Sequence, residues 1–300
     1  MRLPIRPLRP RFTTARLGWV VPSIGLVLLG CGGEERADPV RASEEGPRIV
    51  SLSPALTQAM FDLGMGDALV GCTPFAPEVA AGIPVVGDLL DPDLERILAV
   101  DPDLLLVQPT ASGVDPDLAR MAEQQGWDLV AWRIDRLDDV RGILRDVPPI
   151  LARHGADEAP LEATVEAWIE QGDRLLAPCP IIRSAGRILV LYGVDPPAGF
   201  GTETYLDDIL VRLGASNALD RTGYPELSLE DLVVLAPDTI LVLGTDERAE
   251  GLRTRFPATP SSPRVLAVDA PALLIPGTGL LEGVGALRAA FGCPIDEVAE

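Results

Sequence analysis

DLERILAVDPDLLLV at residues 93–107 and SLEDLVVLAPDTILV at residues 228–242 are one phrase written twice in a chain of 300 residues. In each copy, apolar residues at helical spacing (Leu94, Ile97 and Leu98; Leu229, Leu232 and Val233) lead to a proline, Pro102 or Pro237, and then to an unbroken apolar run. The residue before a proline is driven out of the α region, so the helix stops there and the run after it reads as a strand. Neither 104–107 nor 240–242 alternates with polar residues. Strands buried on both faces of a parallel sheet have that composition. A repeated helix–turn–strand unit predicts two related α/β lobes.

Outward from these copies, strand and helix signals alternate in a βαβ rhythm. The first lobe reads RIVSL from 48, PALTQAMFDLG from 54, ALVGC from 68, the first copy, a helix around 118–125, DLVAW from 128 and a helix around 137–151. The second restarts with RILVLY from 187, TYLDDILVRLG from 204, the second copy, VLAVD from 265 and a last helix from about Gly279. Between them stands APLEATVEAWIEQGDRLLA, where Pro160 suits a first helical turn and Leu161, Val165, Trp168, Ile169, Leu175 and Leu176 form a stripe. One long, stiff helix is expected to join the lobes.

The first 30 residues are set aside. Residues 1–16 hold five arginines and no acid, and 17–29 are mostly apolar, the pattern of an export leader. It ends in Leu28-Leu29-Gly30-Cys31, which resembles the bacterial lipoprotein cleavage box and implies lipidation of Cys31. The apolar segment is short for a membrane span and contains Pro22. The expected organisation is a lipoprotein signal peptide at 1–30, a flexible tether at 31–46, an N-terminal lobe at 47–156, a linking helix at 157–178 and a C-terminal lobe at 179–300.

All 25 basic residues are Arg, against 45 acids. With five of those 25 in the leader, the mature chain carries roughly 20 − 45 = −25 charges, a surface that repels nucleic acid. Cys179 and Cys293 are the expected disulfide in an exported chain, joining the start of the second lobe to its end, while Cys72 at a strand end reads as a small buried hydrophobe. No Cys/His spacing suggests a metal. The single histidine, His154, lies in a polar stretch and is expected on the solvated surface.

RIVSLSPALTQAMFDLGMGDALVG, VVGDLLDPDLERILAVDPDLLLV and LLIPGTGLLEGVGALRAAF, in that order, resemble the substrate-binding proteins of ABC importers for vitamin B12, ferric siderophores and haem, across 47–292. The resemblance implies two lobes on one rigid helix, a chelate ligand in the cleft between them, delivery to a permease dimer in the inner membrane, and a monomer tethered to the membrane. Independently, ligands of open parallel sheets sit outside the carboxyl ends of the strands. That rule selects Ser53, Thr73, Phe75, Gln108, Thr110, Trp132 and Arg133 in the first lobe, and Tyr192, Asp195, Tyr224, Thr245 and Asp269 in the second.

Cobalamin binders of the family carry an aromatic six residues before the repeat glutamate of each lobe, and those positions are Leu89 and Tyr224 here. Phe75 matches another family aromatic and Gln108 replaces one, so the corrinoid pattern is partial. Haem binders hold iron through Tyr or His, which leaves Tyr192 or Tyr224. An anionic ferric siderophore wants cations, and Arg133 is the first-lobe candidate. Corrinoid and siderophore stay open together, with haem behind them. Glu95 and Glu230 match the family's one glutamate per lobe that pairs with permease arginines. No nucleophile motif, phosphate loop or placed base suggests catalysis, so the chain reads as a binder without catalytic residues or cofactor. A ligand-sensing lipoprotein of the same fold stays open.

Overall fold

The computed structural model describes residues 46–256 and 262–293; the expected leader, Cys31 and the tether up to 45 lie outside them. Along the chain run β1 (Ile49–Ser51), α1 (Pro54–Asp62), β2 (Leu69–Cys72), α2 (Leu94–Val100), β3 (Leu104–Val107), α3 (Pro116–Gln125), β4 (Asp128–Ala131), α4 (Leu137–Arg153) and α5 (Glu158–Leu175). After them come α6 (Pro180–Ser184), β5 (Arg187–Val194), β6 (Pro197–Gly199), α7 (Tyr205–Arg212), β7 (Ser216–Asn217), α8 (Leu229–Leu235), β8 (Thr239–Leu243), α9 (Asp246–Arg253), β9 (Arg264–Val268) and α10 (Leu280–Phe291).

The first sheet has the order β2-β1-β3-β4 and is parallel throughout. The second runs β6-β5-β8-β9, with β7 also on β5, and is parallel except where β6 returns antiparallel to β5. The α/β class with two mainly parallel sheets is therefore borne out. The antiparallel turn was not foreseen, because its sequence, Pro197-Ala198-Gly199, is short and poor in strand formers.

Both copies of the repeat occupy equivalent places: β3 pairs with β1 as β8 pairs with β5. Every residue of β3 and of β8 is buried, and each apolar side chain so removed from water contributes about 1.5–3 kcal/mol. The helices are held more narrowly than their spacing predicts. Ile97 and Leu232 are 0% and 1% exposed, whereas Leu98 and Val233 are 45% and 68% exposed, because a two-turn helix meets the sheet along one line.

Each helix ends at a non-glycine residue in the left-handed region, Asp101 (φ 39°) and Ala236 (φ 43°). An L-residue there costs roughly 1–2 kcal/mol, and the turn is secured from outside. Arg48, entering β1, donates from Nη2 to the Val100 carbonyl at 2.6 Å and from Nε to Asp101 at 3.0 Å. Arg187, entering β5, donates from Nη1 to the Leu235 carbonyl at 2.8 Å. Their backbone N–H groups reach Asp103 and Asp238 at 3.0 and 2.7 Å. The last carbonyls of a helix lack intrahelical donors, and one arginine per copy supplies them.

α5 stands between the sheets. Its buried residues Leu161, Val165 and Leu175 share one core with Ile49 and Leu104 of the first sheet and Ile188, Val190 and Leu241 of the second. Cys179 and Cys293 form a disulfide that ties the N-cap of α6 to the end of α10. Cys72 is buried without a disulfide partner, and burial raises its thiol pKa.

The expectation for His154 is corrected: it is 1% exposed and lies 3.4 Å from Asp128. It caps α4 with its ring turned to Asp128 of β4, and the neighbouring Arg153 reaches the same carboxylate at 3.3 Å. Hydrogen bonding to His154 is the largest influence on the Asp128 carboxyl and lowers its pKa against the opposing effect of burial. Among the described residues no helix is long and apolar enough to cross a membrane.

Candidate functional site

The parallel strands of both sheets deliver their carboxyl ends to the space between the lobes. In the first lobe Ser53 sits in extended backbone between β1 and α1, with Pro54 opening the helix. It is fully buried, and its Oγ donates to Oε1 of Gln108 at 2.8 Å. Ser53 therefore orients Gln108, which stands half-buried beyond β3. Beyond β2, the Thr73 hydroxyl accepts from the Phe75 backbone N–H at 3.3 Å, and the Phe75 ring is 67% exposed. Thr110 closes a tight loop through Ser112 and Gly113.

The second lobe presents an aromatic wall. Phe200 lies at the centre, edge-on to Tyr192, Tyr205 and Tyr224, with ring centroids 5.2, 5.6 and 5.5 Å away. Such edge-to-face pairs add about 0.5–1.5 kcal/mol beyond area burial. Tyr205 is buried and donates to the Leu273 carbonyl at 2.8 Å, while Tyr224 keeps 46% of its surface exposed. The Tyr192 hydroxyl donates to the Tyr224 carbonyl at 3.2 Å. Burial raises the pKa of both Tyr192 and Tyr224, reinforced at Tyr192 by Glu226 and at Tyr224 by Asp135 and Tyr192. Both phenols are thus held protonated. Thr245, at the N-cap of α9, and Asp269, beyond β9, are exposed, and Asp195 pairs with Arg255 at 3.5 Å.

Across the lobes, Arg136 pairs with Asp208: Nε lies 2.8 Å from Oδ2, and the backbone N–H of Leu137 reaches the same oxygen at 3.0 Å. Burial alone would raise the Asp208 pKa, but Arg136 and the Leu137 N–H bring it below the ordinary carboxylate value. Arg133 is ion-paired to Asp135 two residues on, so its charge is already partly matched.

A pocket of about 430 Å³ opens where loops leaving β1, β2 and β9 converge on α5. Pro54, Gln58 and Asp62 of α1 with Pro77 form one wall, Trp168 and Gln171 of α5 the base, and Pro271 to Glu282 the other wall. The Trp168 indole N–H donates to the Thr278 carbonyl at 3.0 Å, which fixes the second wall to α5.

The structure thus gathers Ser53, Gln108, Phe75 and Arg133 at strand ends of one lobe and Tyr192, Tyr224 and Thr245 at those of the other. Trp132 is a correction. It is 4% exposed within the main core, and its indole N–H donates to Asp146 at 3.3 Å. The residue after β4 faces α4, and it is Arg133 that turns outward. Gln58, Trp168, Gln171 and the 271–282 wall were missed. Trp168 reads in sequence as one more member of the apolar stripe, and the wall carries few polar side chains to draw notice. Glu95 and Glu230 are both exposed in the first turns of α2 and α8. Among the described residues no cluster of three or more His, Cys, Asp or Glu could hold a metal ion.

No family model matches the chain. It is 24% identical over 254 residues to the uncharacterized ABC transporter substrate-binding lipoprotein YvrC of Bacillus subtilis, covering 82% of this chain and 80% of that protein. In structure it matches the periplasmic vitamin B12 binding protein BtuF of Vibrio cholerae with a TM-score of 0.65 at 20% identity, over 82% of this chain and 96% of the other. A periplasmic heme binding protein from Pseudomonas aeruginosa also gives a TM-score of 0.65, at 25% identity, over 82% and 92%. The chain has the two-lobe fold of the ABC-importer substrate-binding proteins for vitamin B12, haem and siderophores, and its relatives and structural neighbours are proteins of that kind.

Proposed function

We propose that this chain is the lipid-anchored substrate-binding protein of an ABC importer, holding a metal chelate between its lobes and handing it unaltered to a permease. The observation that carries this reading is a pocket beside α5 walled by both lobes, Pro54, Gln58, Asp62 and Pro77 on one side and Pro271 to Glu282 on the other, with the strand-end rings of Phe75 and Tyr224 exposed outside it. Relatives named for vitamin B12, haem and Fe3+-hydroxamate supply the ligand class. Cys31 is the lipid attachment, and the molecule works as an extracytoplasmic monomer.

Among those ligands a corrinoid fits the wall best. Phe75 and Tyr224 offer exposed rings for a large flat face. Iron ligation by a phenolate is opposed at Tyr192 and Tyr224, since both titrate above the ordinary tyrosine value and the Tyr192 hydroxyl is already engaged. An anionic siderophore would find Arg133 committed to Asp135. Glu95 and Glu230, exposed at equivalent steps of the two copies, suit the paired basic sockets of a two-fold permease.

Calorimetric titration of the chain from Gly32 onward with cyanocobalamin, a ferric hydroxamate and haemin, followed by mass spectrometry of the recovered ligand, tests the reading. Micromolar or tighter binding of one chelate, recovered unchanged, is expected. No binding, or turnover, would contradict it.

A further inference from the structure

Leu137 is the first residue of α4, and the N–H groups of a helix's first turn have no intrahelical acceptor. Its N–H donates at 3.0 Å to a carboxylate of the other lobe, Asp208 Oδ2 on α7. The same carboxylate takes Arg136 Nε at 2.8 Å and Arg136 Nη2, a bidentate grip. Three donors of the first lobe thus converge on one side chain of the second, whose charge also suits the positive end of α4. One turn further along α7, Arg212 reaches Asp138 of α4 at 3.2 Å and Asp173 of α5 at 3.7 Å, and Asp173 pairs with Arg141 of α4. Beneath these pairs, Leu137 and Val140 of α4 share one core with Leu206, Ile209 and Leu210 of α7. The lobes meet directly as well as through α5.

Both sides of this contact run into the strand-end walls. In the first lobe the backbone N–H groups of Asp135 and Arg136 donate to Asp139 Oδ2 at 3.1 and 2.8 Å, which fixes the turn after β4 to α4. Asp135 in that turn lies near enough to act electrostatically on the Tyr224 phenol of the second lobe. In the second lobe Asn217 Nδ2 donates to Asp207 Oδ1 at 3.2 Å and to the Phe200 carbonyl at 3.0 Å. The first turn of α7 is thereby tied to the centre of the aromatic wall.

We propose that Arg136 and Asp208 are positioning residues: their pair, with the Leu137 N–H, sets the angle between the lobes and so presets the spacing of the two cleft walls before a ligand arrives. The consequence for the ligand rests on the binding-protein reading above. A bidentate guanidinium–carboxylate pair constrains orientation as well as distance, and a preset cleft spares the ordering of two lobes on binding. Neither residue lines the pocket beside α5, so their effect on affinity passes through the walls.

The test uses the chain from Gly32 onward, with a spin-labelled keto amino acid in place of the exposed Glu123 on α3 and Glu247 on α9, and reads the inter-lobe distance distribution without ligand. Asp208→Asn and Arg136→Gln should each broaden it at least about twofold, and Arg136→Lys, which keeps the charge but not the fork, should fall between them and wild type. Met60→Ala, a cavity in the first lobe's core, lowers stability and should leave the distribution narrow. Titrated with cyanocobalamin, Asp208→Asn and Arg136→Gln should bind about three- to tenfold more weakly than wild type, as the fraction with a preset cleft falls. Distributions as narrow as wild type in both variants, or equal broadening in Met60→Ala, overturn the proposal and leave the binding-protein reading standing. Broadening with unchanged affinity overturns the positioning role. If neither cyanocobalamin nor another chelate binds wild type, the binding-protein reading falls, and the distances still decide whether the pair sets the lobe angle.

Discussion

The two copies of the repeat agree in their architecture and differ in what lies at their strand ends. Both have one anchoring residue, Ile97 or Leu232, a left-handed stop at Asp101 or Ala236, an arginine capping the helix end and an outward glutamate in the first turn. At the carboxyl ends the likeness stops. The first lobe offers the Ser53–Gln108 pair and a lone exposed Phe75, and the second a wall of Tyr192, Phe200, Tyr205 and Tyr224. The shared features make the unit fold or place a charge on its surface, while among the divergent ones Phe75 and Tyr224 are exposed and available to the proposed ligand.

The comparison breaks first at the anchors. Ile97→Ala and Leu232→Ala should each destabilise by about 2–5 kcal/mol in chemical denaturation. If one substitution is nearly silent, that copy is not held as described.

Next comes the contact that joins the lobes. Asp208→Asn removes the partner of Arg136 and should cost about 1–2 kcal/mol at neutral pH, less than a buried pair because Arg136 is partly solvated. The Asp208 pKa is lowered in the folded chain, so its contribution is present above the unfolded carboxylate value and is lost as pH falls through the lowered one. Melting curves of wild type and Asp208→Asn should therefore converge in acid. A gap that persists below the carboxylate range would mean that the substitution acts through packing.

Smaller still are the caps. Arg48→Gln and Arg187→Gln should each cost about 1 kcal/mol, and about equally, since each removes donors from otherwise unpaired helix-end carbonyls. Unequal losses would show that only one copy depends on its arginine.

The repeat made the fold legible from sequence, because prolines after helical spacing and unbroken apolar runs depend on local rules alone. Strand ends are legible for the same reason, which is why Ser53 and Gln108 could be named. What could not be read is the direction a side chain takes at the end of a strand. Trp132 and Arg133 are neighbours with opposite fates, set by where α4 packs. His154 was misjudged because a polar stretch does not fix the fate of each side chain in it: Arg153 and His154 both reach Asp128, but Arg153 stays largely solvated while the His154 ring is buried. The pocket wall from Pro271 to Glu282 and the Trp168 base come from distant segments brought together only by tertiary packing.

The central claim is that the retained glutamates serve delivery while the divergent strand ends serve the ligand. Glu95→Ala with Glu230→Ala, expressed in cells carrying the cognate permease, tests it by uptake of the bound chelate alongside ligand affinity and stability of the purified protein. The account predicts that uptake collapses while affinity stays at the wild-type value and stability falls by no more than about 1 kcal/mol per site, the helix-dipole contribution of a first-turn carboxylate. Uptake that survives the double substitution, or affinity that falls with it, would contradict the account.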